Sequence, residues 1–232
     1  MRKLDYIPKT DINMIHIDRS YTFGVDSIIL LDFAKMKKNK TLVDIGSGSG
    51  ILSLGANSYY DLKKVYAIEI QEEKAKLFKE NLKLNGIYNI EIINEDLNKV
   101  SLGTNAVDYI ITNPPYYKIT DNIGNKSEEF LISRQEKYLN LENIFDFANK
   151  TLKDRGKLFM IHKPERMVEI FKESGNLKPK RIKFVQSTYD KKPQFILVEF
   201  VKNANDGLKI EDPLIIYEND SYTKDMKVIN GL

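Results

Sequence analysis

The chain contains no cysteine, which excludes disulfide cross-links and thiolate metal sites. It has only two histidines, His16 and His162, too few for a His-rich metal cage, so no metal is expected. No apolar run reaches the roughly 18 residues that a membrane-spanning helix needs. The start, Met1-Arg2-Lys3-Leu4-Asp5-Tyr6, lacks the apolar stretch and small-residue cleavage site of a secretory signal. These absences lead to the expectation of a cytoplasmic protein with no membrane partner. An excess of charge is missing too: 36 Lys and Arg against 33 Asp and Glu leave a formal net charge of +3, too little to announce a nucleic-acid partner by itself.

The 232 residues, 42% hydrophobic and 30% charged, suit one sizeable soluble α/β domain with small additions at its ends. The distribution of charge is more telling than its sum. Residues 150–183 carry eleven Lys or Arg against four Asp or Glu, the clustering expected of a phosphate-binding face, although a Lys-rich solvated surface has the same look.

No repeat, low-complexity stretch or Pro/Gly/Ser linker divides the chain. Short apolar runs alternate with helical stretches, the rhythm of a parallel sheet covered by helices. Strands are expected at residues 41–45, 64–68, 90–93, 107–112 and 157–161, with helices near 50–60, 72–85, 141–152 and 164–174. Two further runs, 181–186 and 194–201, are separated by too few residues for a crossover helix, so they must pair antiparallel. The expected fold is a doubly wound, seven-stranded α/β sheet whose last strand is reversed.

Val43-Asp44-Ile45-Gly46-Ser47-Gly48-Ser49-Gly50 sits where the first of these strands meets its helix. Glycines there permit a sharp turn and a close ligand. The spacing, Gly46, Gly48, Gly50, is not that of a dinucleotide fingerprint. It suits a zwitterionic amino-acid ligand, with the helix N-terminus taking a carboxylate and Asp44 an ammonium group. Glu69 closes the second strand, where a carboxylate can accept from both hydroxyls of a ribose; alone, it would read as an ordinary exposed Glu. Asp96, with Leu97 behind it, stands where a carboxylate and a backbone N–H can meet an adenine ring, or where an Asp simply caps a turn. After the fourth strand comes Asn113-Pro114-Pro115-Tyr116. Two prolines stiffen this loop, the Asn113 oxygen and the Pro114 carbonyl can accept the hydrogens of a planar NH₂ group, and Tyr116 can stack on its carrier.

With these elements the sequence resembles the class I S-adenosylmethionine-dependent methyltransferases that act on amino groups, with a Rossmann-like sheet. Upstream, residues 21–31 (Tyr-Thr-Phe-Gly-Val-Asp-Ser-Ile-Ile-Leu-Leu) are similar to the segment before strand one in bacterial tRNA1(Val) (adenine(37)-N6)-methyltransferases, as are Ser133-Arg134-Gln135-Glu136 and residues 180–185 downstream. The resemblance implies S-adenosyl-L-methionine as cofactor and adenosine 37 of a valine tRNA as acceptor. It implies that residues 1–40 cap the cofactor site, bringing Phe23 and Asp26 to the pocket, that 41–202 form the catalytic domain, and that 203–232 pack on it. Asn113, Pro114, Pro115 and Tyr116 become the catalytic loop; Asp44, Gly46, Gly48, Gly50, Glu69, Asp96 and Leu97 join Asn113 around the cofactor. Such a loop also suits a protein glutamine N5-methyltransferase or a ribosomal RNA guanine N2-methyltransferase. The first typically has an additional helical domain, for which the forty residues before the first strand leave no room. A nicotinamide dehydrogenase is disfavoured by the glycine spacing, and a non-catalytic RNA-binding module by the intact loop. Lys178, Lys180, Arg181 and Lys183 are the candidate RNA contacts, with Lys118, Lys126 and Arg134 as the alternative. A monomer or weak dimer is expected.

Overall fold

The computed structural model describes residues 2–17, 24–116 and 139–232. It opens with an antiparallel hairpin, β1 (Arg2–Tyr6) and β2 (Asn13–Ile17), followed by α1 (Val25–Phe33). The alternating part then runs β3 (Thr41–Ile45), α2 (Ile51–Tyr60), β4 (Lys64–Ile68), α3 (Glu72–Leu84), β5 (Ile90–Ile93) and β6 (Val107–Thr112). After it come α4 (Leu141–Thr151), β7 (Leu152–His162), α5 (Met167–Glu173), β8 (Leu177–Gln186), β9 (Phe195–Lys202) and β10 (Lys209–Ile215). A small hairpin, β11 (Tyr217–Glu218) and β12 (Ser221–Tyr222), leads to α6 (Lys224–Ile229).

Eight strands form the central sheet in the order β10-β8-β9-β7-β6-β3-β4-β5. Strand β9 is antiparallel to both β7 and β8, and the other pairings are parallel. This is the doubly wound sheet with its reversed strand, and the eighth strand, β10, extends it beyond the seven expected. The central strands are apolar on both faces because helices cover both: Leu42, Val43 and Ile45 of β3 are all buried. Helix α4 shows how such cover is specified. Asn140 caps it by accepting from Asn143 N at 2.8 Å, and Leu141, Ile144, Phe145 and Ala148 bury one stripe.

The N-terminal hairpin and the C-terminal helix share one apolar cluster with α1, in which Ile7, Met14, Leu30, Leu31, Met226 and Ile229 are buried together. Strand β7 starts at Leu152, five residues before the expected start, because Asp154-Arg155-Gly156 is taken up as an irregularity in its pairing with β6 and not as a loop.

Asn81 on α3 joins three elements. Fully buried, it accepts from Ile15 N at 2.8 Å and donates to Ile15 O (3.2 Å) and Ser49 O (3.1 Å). Asn81→Ala would strand three backbone groups, so a loss of roughly 2–5 kcal/mol in unfolding free energy is expected by urea titration. A loss below about 1 kcal/mol would show that this junction does not hold β2 and the glycine loop together.

Candidate active site

The sheet grows from β3 through β4 to β5, then resumes on the other side of β3 with β6. At such a switch point the carboxyl ends of two neighbouring strands open into a crevice that no crossover covers. The glycine loop follows β3, the Asn113–Tyr116 loop follows β6, and both enter this crevice.

Gly46, Gly48 and Gly50 all have positive φ, at +72°, +58° and +100°. At Gly50 a Cβ would stand 2.2 Å from the Phe78 ring, so packing and conformation both demand glycine. At Gly48 a Cβ would meet nothing within 4 Å: the main chain there faces open space, where a ligand can lie close to it. Gly46 N and Ser47 N both donate to Ile68 O, at 2.9 and 3.0 Å, lacing the loop to β4.

Two carboxylates stand behind the loop. Glu69 is buried, with Oε2 accepting from Gly48 N (2.8 Å) and Oε1 from Gln71 N (2.8 Å), so its head is oriented before any ligand arrives. Asp44 is fully buried. Its Oδ2 accepts from Ser53 Oγ at 2.6 Å, while Oδ1 has no hydrogen-bond partner among the described residues. Burial, against the help of Ser53, pushes its pKa up to about 7. A buried acceptor of this kind calls for a donor from outside the fold. Asp96 caps a short turn, Leu97–Lys99, through Oδ1, which accepts from Asn98 N (2.9 Å) and Nδ2 (3.0 Å); Leu97 is buried beneath the loop.

On the other side, Asn113 Nδ2 donates to Ser27 Oγ at 3.0 Å. The Tyr116 hydroxyl lies 2.6 Å from both Asn113 Oδ1 and Asp26 Oδ2. Burial and the Asp26 charge raise the phenol pKa far above its ordinary value, so the hydroxyl keeps its single proton. That proton cannot serve two oxygens. Turning the Asn113 amide over would balance the cluster, with Ser27 then donating to Oδ1; in the present orientation one acceptor lacks a donor. Asp26, expected at the cofactor pocket, stands against the Asn113–Tyr116 loop. Phe23, Lys118, Lys126 and Arg134 lie outside the described residues.

Three residues without any local sequence signal complete this side. The Tyr116 ring meets the edge of the His162 ring at a centroid distance of 5.6 Å and Phe195 at 5.3 Å. Lys163 places Nζ 4.3 Å from the Phe195 centroid. His162 Nδ1 accepts from Lys163 N at 2.8 Å, so the neutral ring carries its proton on Nε2. Burial, followed by the nearby Arg166 charge, pushes its pKa down to about 3.

The basic stretch has partners within the fold. Arg181 is largely buried, pairing with Glu199 (3.3 Å) and Glu211 (3.2 Å) and donating to Phe33 O (2.6 Å). Lys183 approaches Glu211, Lys178 approaches Asp206, and Lys180 donates to Asn205 O and Asp206 O. In register, Lys178 is level with Lys157 in the middle of β7, Arg181 with Phe159 and Lys183 with Ile161, one residue before His162. Lys178, Arg181 and Lys183 thus each have an acidic partner, and Lys180 is held by main-chain carbonyls. Among the described residues no group of three His, Cys, Asp or Glu could hold a metal ion, and no helix is long and apolar enough to cross a membrane.

Asp44 and His162 pull stability in opposite directions with pH. Asp44 titrates higher folded than its ordinary 3.8, so its contribution falls as pH rises from 3.8 to about 7. His162 titrates lower folded than its ordinary 6.5, so its contribution is lost as pH falls from 6.5 towards about 3. Relative to the parent, Asp44→Asn should make stability rise more steeply with pH between these limits, and His162→Gln should make it rise less. Urea midpoints across that range that move the same way in both variants would overturn the pair of assignments.

The methyltransferase small domain model matches residues 22–174. A tRNA1(Val) (adenine(37)-N6)-methyltransferase of Haemophilus influenzae (strain 86-028NP) is 28% identical over 206 residues, 87% of this chain and 86% of that protein. A putative protein N5-glutamine methyltransferase of Methanocaldococcus jannaschii is 37% identical, over 102 residues that cover 44% of this chain and 50% of the other. Among solved structures, a predicted O-methyltransferase of Agrobacterium tumefaciens has a TM-score of 0.72 at 18% identity, covering 88% of this chain and 95% of that one; this is a likeness of fold. The doubly wound sheet, the loops at its switch point and the family match agree, and the chain belongs to the methyltransferase small domain family.

Proposed function

We propose that this methyltransferase transfers a methyl group from S-adenosylmethionine to adenine N6 in a tRNA, at adenosine 37 of a valine tRNA. The observation that carries the acceptor chemistry is placement: the Asn113–Tyr116 loop leaves β6 beside the glycine loop of β3, and the Tyr116 hydroxyl gathers the Asn113 amide and the Asp26 carboxylate into one corner. An entering NH₂ group brings two donor hydrogens, and the side-chain and main-chain oxygens of this loop are acceptors for them.

The donor side fits the cofactor by its own chemistry. The open main chain at Gly48 gives room, the held carboxylate of Glu69 suits ribose hydroxyls, and the orphan Oδ1 of Asp44 suits an ammonium group. Gly46 and Gly50 shape the loop, while Asp96 and Leu97 stand where the adenine would lie. When bound, the cofactor supplies a methyl group already activated on a sulfonium. The protein's part is alignment and exclusion of water. Asn113, with the Pro114 carbonyl, accepts the hydrogens of the acceptor amine and turns its lone pair from the ring. Pro115 keeps the loop stiff, and Tyr116 offers its face to the base. A base can reach this corner only unstacked, which costs least in an RNA loop. The relative acting on tRNA matches along nearly all of both chains, whereas the glutamine-modifying one matches over about half; this supports the RNA acceptor over the amide.

Incubation with S-adenosylmethionine and unmodified valine tRNA, followed by mass analysis of nucleosides, should yield N6-methyladenosine. Methylation of a glutamine peptide with none of tRNA would overturn the reading. Asn113→Ala should retain cofactor affinity by calorimetry and lose about a hundredfold or more in kcat; near-normal turnover would reject its role.

A further inference from the structure

Lys163 leaves β7 at the carboxyl edge of the sheet, directly after His162. Its ammonium lies 4.3 Å from the ring centroid of Phe195 and 5.4 Å from that of Tyr116. It is half-buried, and among the described residues no carboxylate stands within ion-pair distance of it. The nearby cation is differently placed: Arg166 pairs with Glu169 at 2.7 Å. The lysine is also well presented. Its N–H donates to His162 Nδ1, and Pro164, at the start of the turn Pro164–Arg166, restricts its backbone from the other side.

Two aromatic faces hold this cation in place, and among the described residues its charge has no counter-ion. The faces belong to the walls of the acceptor corner, so an anion that met Lys163 would sit beside whatever lies on Tyr116. A nucleotide flipped into the crevice brings such an anion: the base enters while its phosphate stays at the rim. A glutamine side chain on a peptide brings none. We propose that Lys163 binds the phosphodiester of the target nucleotide, and so favours a nucleic-acid acceptor over a bare amide. This rests on the reading of the acceptor as an RNA base.

The test uses the full-length protein and an anticodon stem-loop RNA, with affinity and initial rates measured across a salt series. Lys163→Gln should flatten the log–log salt slope by about 0.7 for one lost contact to single-stranded RNA. It should raise KM for RNA about tenfold, as expected for a charge-assisted contact, and leave affinity for S-adenosylmethionine unchanged. Lys163→Arg should restore most of both. A stem-loop carrying a neutral methylphosphonate at the target nucleotide tells the phosphate from packing: the parent should bind it about as poorly as Lys163→Gln binds the natural RNA, and Lys163→Gln should bind both alike. If Lys163→Gln keeps the parent's salt slope and still distinguishes the methylphosphonate, the inference falls while the RNA acceptor stands. If the parent methylates a glutamine peptide and no RNA, both fall.

Discussion

The arrangement depends on β3 and β6 lying side by side. Ile45 and Thr112 are paired in register at the carboxyl ends of these strands, and the Thr112 hydroxyl donates to Ile45 O at 2.9 Å. Parallel neighbours are about 4.8 Å apart. The loop after β3 and the loop after β6 therefore leave the sheet within one strand spacing of each other, one proposed for the methyl donor and one for the acceptor amine. Proximity, the main catalytic resource for an already activated methyl, is thus built into the strand order.

The electrostatics of the crevice follow from the same placement. Asp44, Glu69 and Asp26 turn three carboxyl groups towards it, and His162 stays neutral beneath its acceptor side. A donor that carries sulfonium and ammonium charges fits these carboxyl groups, and in the proposed reading the acceptor amine meets the oxygens of the Asn113–Tyr116 loop. The burial that raises the pKa of Asp44 makes its ionisation depend on a cation close by. The Lys163 ammonium stands at the rim, over aromatic faces.

Much of this was legible in the sequence because it is local. β3, β4, β5 and β6 are short apolar runs with clear stops, and the glycine and Asn-Pro-Pro-Tyr loops each sit within a few residues of a strand end. What was not legible depends on partners far along the chain. Tyr116 meets Asp26 across 90 positions, and Arg181 meets Phe33 across 148. Counting charges along 150–183 could not reveal that Glu199 and Glu211 on the neighbouring strands neutralise Arg181 and Lys183. The eighth strand is not legible because Lys209–Ile215 is exposed over most of its length and includes Pro213, so it shows little apolar patterning.

That same unpromising composition has a use. Strand β10 forms one border of the sheet, with charged Lys209, Glu211 and Asp212, a register irregularity between Glu211 and Leu214, and at Pro213 no N–H to donate. The opposite border, β5, is four residues long and carries Glu91, paired to Lys64. An open sheet invites another chain to add a strand at its edge, and short, charged or proline-bearing borders discourage it. A Lys- and Ile-rich chain can thus keep a broad eight-stranded sheet in solution without closing it into a barrel, its borders resisting the edge-to-edge aggregation to which such sheets are prone.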